Sequence, residues 1–519
     1  MLSQTEPVSA PRATAAQTGV LRLRWAIAST VLAGVMLDVA YPAVGLWPAA
    51  FVAVVLTLMA LRGRSVLGAI LVGTVFGVVF FAIHLSWVGE FLGPLPWVAL
   101  VGLEGALVAA GGIAIALAYR WTEKLGVRAR FLVRPGLVAG LWSAREMVAG
   151  TWPYSGFPWA RVATSQANGP FAEAVSWIGV DGVSFAIVAV CALTIECLWA
   201  RRFRMLALPV SLACALALIP AFPTRQTGQM AIGWVQANGP SGYFDDRSPG
   251  EILELHEARS EALYGRGADL IVWPEGAVDS DPYQSPQTAR RLDAVVRAAD
   301  APLLANAAVT RSGETYNTSF LWGTGDSVQF YDKRHPVPFG EYVPDRAFYE
   351  RLVPGLVGLI QREYTAGRTE PVLDVDGVRI GVGICFDLIY DDVIRAGAEG
   401  GAEVYIFQTN NADFRGTDEN LQQMAIARLR AFEAGRAVVN VSTTGTSQVV
   451  LPDGSVIDAA APGESAASVS DVPLYAGRTP AVVIGSIPIA GLAVLAICTL
   501  ISLGLVRLSN RSAATERKS

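Results

Sequence analysis

The sequence predicts a helical membrane domain of about eight spans joined to an α/β domain of about 240 residues. Two observations lead there. The 519 residues are 52% hydrophobic and only 16% charged, with a mean hydropathy of +0.40, too apolar for an ordinary soluble enzyme. The apolar residues also gather into blocks of spanning length up to about residue 221, after which strand-like and helix-like runs alternate.

The blocks lie at about 25–40, 44–61, 66–88, 97–118, 132–150, 176–199 and 203–221, with one more at about 481–506. Most are near the roughly 20 residues that cross a bilayer's hydrocarbon. The fifth is the weakest, interrupted by Arg145 and Glu146. Cations collect in alternate connections: Arg22 and Arg24; Arg62 and Arg64; Lys124, Arg128, Arg130 and Arg134; Arg201, Arg202 and Arg204; and Arg507, Arg511, Arg517 and Lys518. The loops between them, VAYPAVGLW, GEFLGPLP and TWPYSGFPWARVATSQANGP, hold few cations and much Pro, Gly and Trp.

Because basic loops stay on the cytoplasmic side, both termini are expected there. The expected division is a cytoplasmic tail over 1–24, seven spans within 25–221, an extracytoplasmic α/β domain over 222–480, an eighth span over 481–506 and a basic tail over 507–519. The first apolar block lacks a small-residue cleavage site and reads as a retained anchor.

Of five cysteines, Cys191, Cys197, Cys214 and Cys498 fall in predicted spans, leaving Cys385 alone in the α/β domain. It has no internal disulfide partner, and no CxxC or His/Cys cluster suggests a metal. His84, His256 and His335 share no ligand spacing. Alone, such a thiol is as readily a small buried hydrophobe as a nucleophile.

Within 222–480, MAIGWVQA, DLIVWPEG, PLLANAAV, TSFLWG, VQFYDK, VRIGVGICFD, EVYIFQTNN and AVVNVSTTGTSQVVL read as strands, and GEILELHEARSEALYG, SPQTARRLDAVVRAAD and NLQQMAIARLRAFEAGR as helices. Chemistry in α/β sheets gathers past the carboxyl ends of strands. Glu275, Lys333 and Cys385 each close an apolar run in that position. A carboxylate that accepts the thiol's proton, a cation for a developing oxyanion and the thiol itself form a complete nucleophilic set without histidine.

The segments WPEG, YDKRHPVPFGEYVP and GVGICFD resemble the Glu, Lys and Cys signatures of the nitrilase, or carbon–nitrogen hydrolase, superfamily. With the spans on either side, the chain is similar over nearly its whole length to the apolipoprotein N-acyltransferases. SGFPWARVATSQ, MAIARLRAFEAGR and STTGTS also match that pattern, and the run from Lys333 through Pro344 is its most specific element.

The resemblance implies an αββα sandwich on the outer face of a bacterial plasma membrane and a two-step acyl transfer. Glu275 would be the general base for Cys385, whose thiolate attacks a phospholipid ester, and Lys333 would stabilise the oxyanion. The α-amine of a diacylated apolipoprotein's N-terminal cysteine would then take the acyl chain from the thioester. Glu341 would hold Lys333 and Glu275 in place, and Phe386 and Asp387 would support the nucleophile. Asp387 stands where the family commonly has Glu, and Asn411 and Asp413 where an Asp and a Trp are commoner, so neither of the last two is assigned a role. No cofactor or metal is implied.

The intramembrane acids Asp38, Glu104, Glu146, Asp181 and Glu196 read as structural, since most lie near span ends or beside a cation. A membrane-tethered amidase would use the same three residues but would not need seven spans. A transporter or receptor with an outer binding domain would make Cys385 dispensable, yet the spans contain no internal repeat or matched broken helices. The net charge of −5 gives no sign of a nucleic-acid partner; the expected partners are the bilayer, a phospholipid donor and the apolipoprotein acceptor.

Overall fold

A computed structural model describes residues 21–324 and 328–516. The tail up to residue 20, and Arg517 and Lys518 at the other end, lie outside the described residues. The predicted blocks fall on helices α1 (Leu23–Val39), α2 (Ala49–Leu61), α3 (Val66–His84), α5 (Pro94–Trp121), α6 (Val127–Ala149), α7 (Val175–Trp199) and α8 (Ala207–Leu218), with a short α4 (Ser86–Leu92) following α3. The α/β part carries α9 (Glu251–Ser260), α10 (Pro286–Ala299), α11 (Arg346–Leu352), α12 (Pro354–Val357), α13 (Asp391–Glu399) and α14 (Glu419–Ala434). After it come α15 (Pro480–Ile484) and α16 (Ile487–Glu516). By length and composition α3, α5, α7 and α16 can each cross a membrane; α2 and α8 are apolar but short. The remaining two fall short for different reasons: α1 has 17 residues, and α6 carries Arg128, Arg130, Arg134, Arg145 and Glu146.

Twelve strands are described: β1 (Arg225–Gln236), β2 (Leu270–Val272), β3 (Leu303–Arg311), β4 (Glu314–Trp322), β5 (Gln329–Asp332), β6 (Val372–Val375), β7 (Val378–Ile384), β8 (Val404–Thr409), β9 (Ala437–Ser442), β10 (Ser447–Val450), β11 (Val456–Ala460) and β12 (Ala466–Ala476). They form two six-stranded sheets, β12-β1-β2-β3-β4-β5 and β11-β10-β9-β8-β7-β6. In each, a parallel trio (β1-β2-β3, β7-β8-β9) has one antiparallel neighbour on one side and two on the other. The inner faces meet in a dry core of residues such as Ile232, Val272 and Leu304 from one sheet and Ile380, Ile384, Ile406 and Val439 from the other.

Both outer faces are covered by helices. Leu292, Val295 and Leu253 of α10 and α9 pack on the first sheet. On the second, α13 and α14 join a core continuous with the membrane helices, so this helix layer is clamped between sheet and bundle. That explains why α14 is buried along nearly all its length. It stops at Gly435, whose φ of 62° lies in the left-handed region and where an added Cβ would meet the Thr224 Cγ2 atom at 2.5 Å. The run AVVNVSTTGTSQVVL, read as one strand, is the hairpin β9–β10, because residues 443–446 turn the chain.

The end of the third apolar block and the loop over 151–170 form the seat for this layer. Trp87 and Trp159 donate their Nε1–H groups to Gln422 Oε1 at 3.3 and 2.7 Å, and the Gln422 Nε2 amide donates to the His84 carbonyl at 3.1 Å. Arg161 grips Asp391 with two hydrogen bonds of 2.8 Å, and Tyr390 Oη donates to the Gly156 carbonyl at 3.0 Å.

Four of the five intramembrane acids are paired: Asp38 with His84 at 3.2 Å, Asp181 with Arg161 at 3.2 Å, Glu146 with Trp142 at 2.9 Å and Arg145 at 3.7 Å, and Glu196 with Arg62 at 2.5 Å and Arg134 at 3.0 Å. Glu104 has no hydrogen-bond or ion-pair partner among the described residues. Glu196 is buried and is the anion on which Arg62 depends, whereas Arg134 also pairs with the half-exposed Glu123 at 2.7 Å, so removing Glu196 strands the buried Arg62 guanidinium. Glu196→Gln is expected to destabilise the protein by about 3 kcal/mol or more, read as a lowered Tm in detergent; an unchanged Tm would show that water reaches the cluster.

Candidate active site

The three residues picked out by their strand ends converge at the carboxyl edges of the two sheets. Glu275 lies in the turn after β2, Lys333 directly follows β5, and Cys385 directly follows β7. Lys333 is 1% exposed, with its Nζ atom 3.3 Å from Glu275 Oε1 and 2.8 Å from Glu341 Oε2. An amide holds the two carboxylates apart and level: Asn317 Nδ2 donates to Glu275 Oε1 at 2.8 Å and to Glu341 Oε1 at 2.9 Å. Asn317 is itself oriented by Asn306, whose Nδ2 donates to Asn317 Oδ1 at 2.8 Å while its Oδ1 accepts from the Gly276 amide at 2.8 Å. Glu341 also accepts from the Val337 amide at 2.7 Å, which closes the loop after Lys333 around the site.

Charge and burial set the resting protonation. Burial works against the Lys333 ammonium, but Glu275 and Glu341 outweigh it and keep the amine charged well beyond its ordinary range. Burial raises the Glu275 carboxyl, partly offset by Lys333 and by the Asn317 hydrogen bond. Burial and the Glu275 charge push the Cys385 thiol up against the opposing pull of Lys333. The thiol is therefore protonated at rest and needs a base before it can act as a nucleophile.

Cys385 has φ of +46°, a left-handed backbone on a non-glycine residue that costs on the order of 1–3 kcal/mol. The strand turns sharply there into a 3-10 turn over Cys385–Ile389, which presents the side chain at the edge. Asp387 holds this elbow. Its Oδ2 accepts from Tyr331 Oη at 2.8 Å and the Ile384 amide at 3.2 Å, and its Oδ1 accepts from the His335 amide at 2.9 Å. The shorter acid thus works inward, tying the Cys385 turn to the Lys333 loop. Phe386 points toward the bundle, stacking on Phe157 with ring centres 6.0 Å apart. His335 stacks on Tyr390 at 3.8 Å and pairs with Asp392 at 3.0 Å.

The thiol also meets a polar group that the sequence did not single out. Gln423 Nε2 is 3.7 Å from Cys385 Sγ, and Gln423 Oε1 accepts from Asn411 Nδ2 at 3.0 Å. Asn411 Nδ2 also donates to Glu419 Oε2 at 2.7 Å, and Asn411 Oδ1 accepts from Ser442 Oγ at 2.6 Å. Asp413, by contrast, binds the Tyr243 amide at 2.7 Å. Asn306 and Asn317 were also missed; Asn317 is the buried partner on β4 of Asn306, an amide inside the otherwise apolar LLANAAV. Such a residue must find a buried partner, and that is the signal that could have found them. No group of His, Cys, Asp and Glu among the described residues could hold a metal ion.

Residues 33–193 match the family model for the apolipoprotein N-acyltransferase N-terminal domain, and residues 232–479 match that for carbon–nitrogen hydrolase. An apolipoprotein N-acyltransferase from Mycolicibacterium smegmatis is 29% identical over 93% of this chain and 86% of its own. Another from Gloeobacter violaceus is 29% identical over 87% of this chain and 89% of its own. The chain belongs to the apolipoprotein N-acyltransferase family. Its catalytic half has the carbon–nitrogen hydrolase fold, and with bacterial relatives and four helices able to cross a bilayer it is a bacterial membrane protein. Among solved structures, a carbon–nitrogen hydrolase superfamily protein from Xanthomonas campestris aligns with 51% of this chain and 97% of its own, at 18% identity and a TM-score of 0.37.

The pairing gives a pH test of the site. With Glu275 as the base, only its ionised form accepts the thiol proton, and alkylation of Cys385 by iodoacetamide is expected to fall as pH drops through the raised Glu275 value. Asn317→Ala removes a hydrogen bond that favours the carboxylate. Its acid limb is expected at higher pH, with roughly tenfold slower alkylation at neutral pH; coincident profiles would remove Asn317 from the site.

Proposed function

We propose that the chain N-acylates the N-terminal S-diacylglyceryl cysteine of apolipoproteins, taking the acyl chain from a phospholipid through a thioester at Cys385. The observation that carries this reading is the buried Lys333 ammonium held between Glu275 and Glu341 beside a protonated thiol. In the first step Glu275 takes the thiol proton, the sulfur attacks the ester carbonyl, and Lys333 stabilises the oxyanion. The carbon–oxygen bond then breaks, and Glu275 returns its proton to the leaving lysophospholipid alkoxide. In the second step the acceptor amine attacks the thioester, the carbon–sulfur bond breaks, and Glu275 carries an amine proton to the sulfur.

Water must be kept from the thioester between the steps. The clamped helix layer and the loop over residues 151–170 support such exclusion, because they seal the base of the Cys385 turn with Phe386, Phe157 and Trp159. Exposed Phe244, Phe348 and Leu352 give the α/β domain apolar surface for acyl chains. We place the membrane crossings at eight, the termini in the cytoplasm and the α/β domain outside. In support, the loops seated against that domain, GEFLGPLP, through Phe91, and residues 154–168, come from the cation-poor set.

The test is mass spectrometry of the purified protein after incubation with phospholipid and no acceptor. A fatty-acyl increment is expected on the native chain, absent from Cys385→Ala, and removed by a diacylated lipopeptide with a free amine. No increment on either would refute the transferase reading, and release of free fatty acid without transfer would favour a hydrolase.

A further inference from the structure

The reaction just described leaves one proton without a carrier. An acceptor's α-amine arrives largely as an ammonium, since its ordinary pKa is about 8, and it must lose two protons to become an amide. Glu275 can pass one to the sulfur. The second has to leave before the nitrogen has a lone pair with which to attack.

Glu419 fits that need by position. It is the first residue of α14, one helical turn before the Gln423 that reaches the thiol, and is 2% exposed. Asn411 fixes its Oε2 at 2.7 Å, while Oε1 has no hydrogen-bond partner among the described residues. The same Asn411 amide reaches Gln423, which reaches Cys385 Sγ, so the carboxyl and the thiol are joined through two amides. A charge on Glu419 is felt at the thiol, and Glu275 is the ionisable group whose charge is felt at Glu419. On its own helix the residue that reaches the thiol, Gln423, is uncharged. A buried carboxyl with one free oxygen and no cation nearby costs stability, unless a cation arrives during the reaction.

We propose that Glu419 is the acceptor's docking carboxylate, which receives the incoming α-ammonium and takes from it the proton that Glu275 cannot. The inference rests on the acyl-transfer reading and adds the group that readies the second substrate. The ammonium gives one proton to Glu419; the neutral nitrogen bonds to the thioester carbon; the carbon–sulfur bond breaks; the remaining excess proton passes through Glu275 to the sulfur. Glu419 then releases its proton to water. The balance is amide, thiol and one proton released. Burial pushes the Glu419 carboxyl up to about 8, close to an α-amine, so the proton moves between them with little cost, and the arriving ammonium itself draws the carboxyl down.

The two half-reactions separate the claims. The native full-length chain, Glu419→Gln and Glu419→Asp are loaded from phosphatidylethanolamine–phosphatidylglycerol vesicles and then mixed with a synthetic diacylglyceryl-cysteinyl peptide across pH 6 to 9. The loss in Glu419→Gln is expected in transfer, roughly 10²-fold at neutral pH against its own loading rate. Its transfer should climb about tenfold per pH unit toward the amine's own pKa, while the native profile is shallower and Glu419→Asp recovers part of the rate. Equal transfer and an identical pH profile in Glu419→Gln would overturn the role of Glu419 alone. So would a loss of loading and transfer together that Glu419→Asp does not mend. A native chain that never loads would overturn the acyl-transfer reading, and this role with it.

Discussion

A primary ammonium buried in protein is costly unless its charge is matched, and the site of this chain is arranged around matching one. Lys333 meets Glu275 at 3.3 Å and Glu341 at 2.8 Å, with Asn317 bonded to both carboxylates. Two anions share one cation, so the cluster keeps an excess negative charge that, with burial, raises the thiol. In the proposed mechanism a proton passes from Cys385 to Glu275 and the excess moves onto sulfur and then onto a carbonyl oxygen, within the field of a cation that need not move. The polar residues of β3 and β4, the loop after β5 and the strained turn at Cys385 all serve to hold that geometry.

The second constraint is mechanical. The turn that presents Cys385 is held from below by Arg430 of α14, whose guanidinium donates to the Leu388 and Ile389 carbonyls at 2.9 and 2.7 Å and pairs with Asp391 at 2.7 Å. Asp391 is in turn gripped by Arg161 from the membrane domain, and although burial opposes its charge, the two guanidinium groups hold its carboxyl well below the usual range. The nucleophile is thus tied to the bundle through a chain of charge-assisted hydrogen bonds. A simple tether would leave the α/β layer free to shift, and the water-tight base of the site would open with it.

Much of this was legible in the sequence because the signals are local. Apolar blocks marked every long helix, and single ionisable residues closing apolar runs marked Glu275, Lys333 and Cys385. Glu341 was recoverable from a motif, and the structure places it directly on Lys333. What was not legible depends on contacts between distant segments. The strands β6, β11 and β12 are edge strands with mixed polarity, and α13 is too short for its periodicity to stand out. Asp387 looked like a weaker version of a longer acid until its three inward hydrogen bonds were visible. Asn317, Gln423 and Glu419 acquire meaning only when β4 and α14 are brought to the same edge, which neither strand nor helix periodicity can announce. The burial of α14 on both faces likewise follows from the bundle beneath it.

The most direct measurement is a cryo-EM structure of the chain trapped as its acyl-enzyme in a lipid nanodisc. The account predicts continuous density from Cys385 Sγ into a fatty-acyl chain, with the thioester oxygen within about 3 Å of Lys333 Nζ and Glu275 still facing the carbonyl carbon. An acyl group on Cys385 whose oxygen turns away from Lys333 would contradict it, because the buried ammonium would then have no part in the chemistry it is held in place to perform.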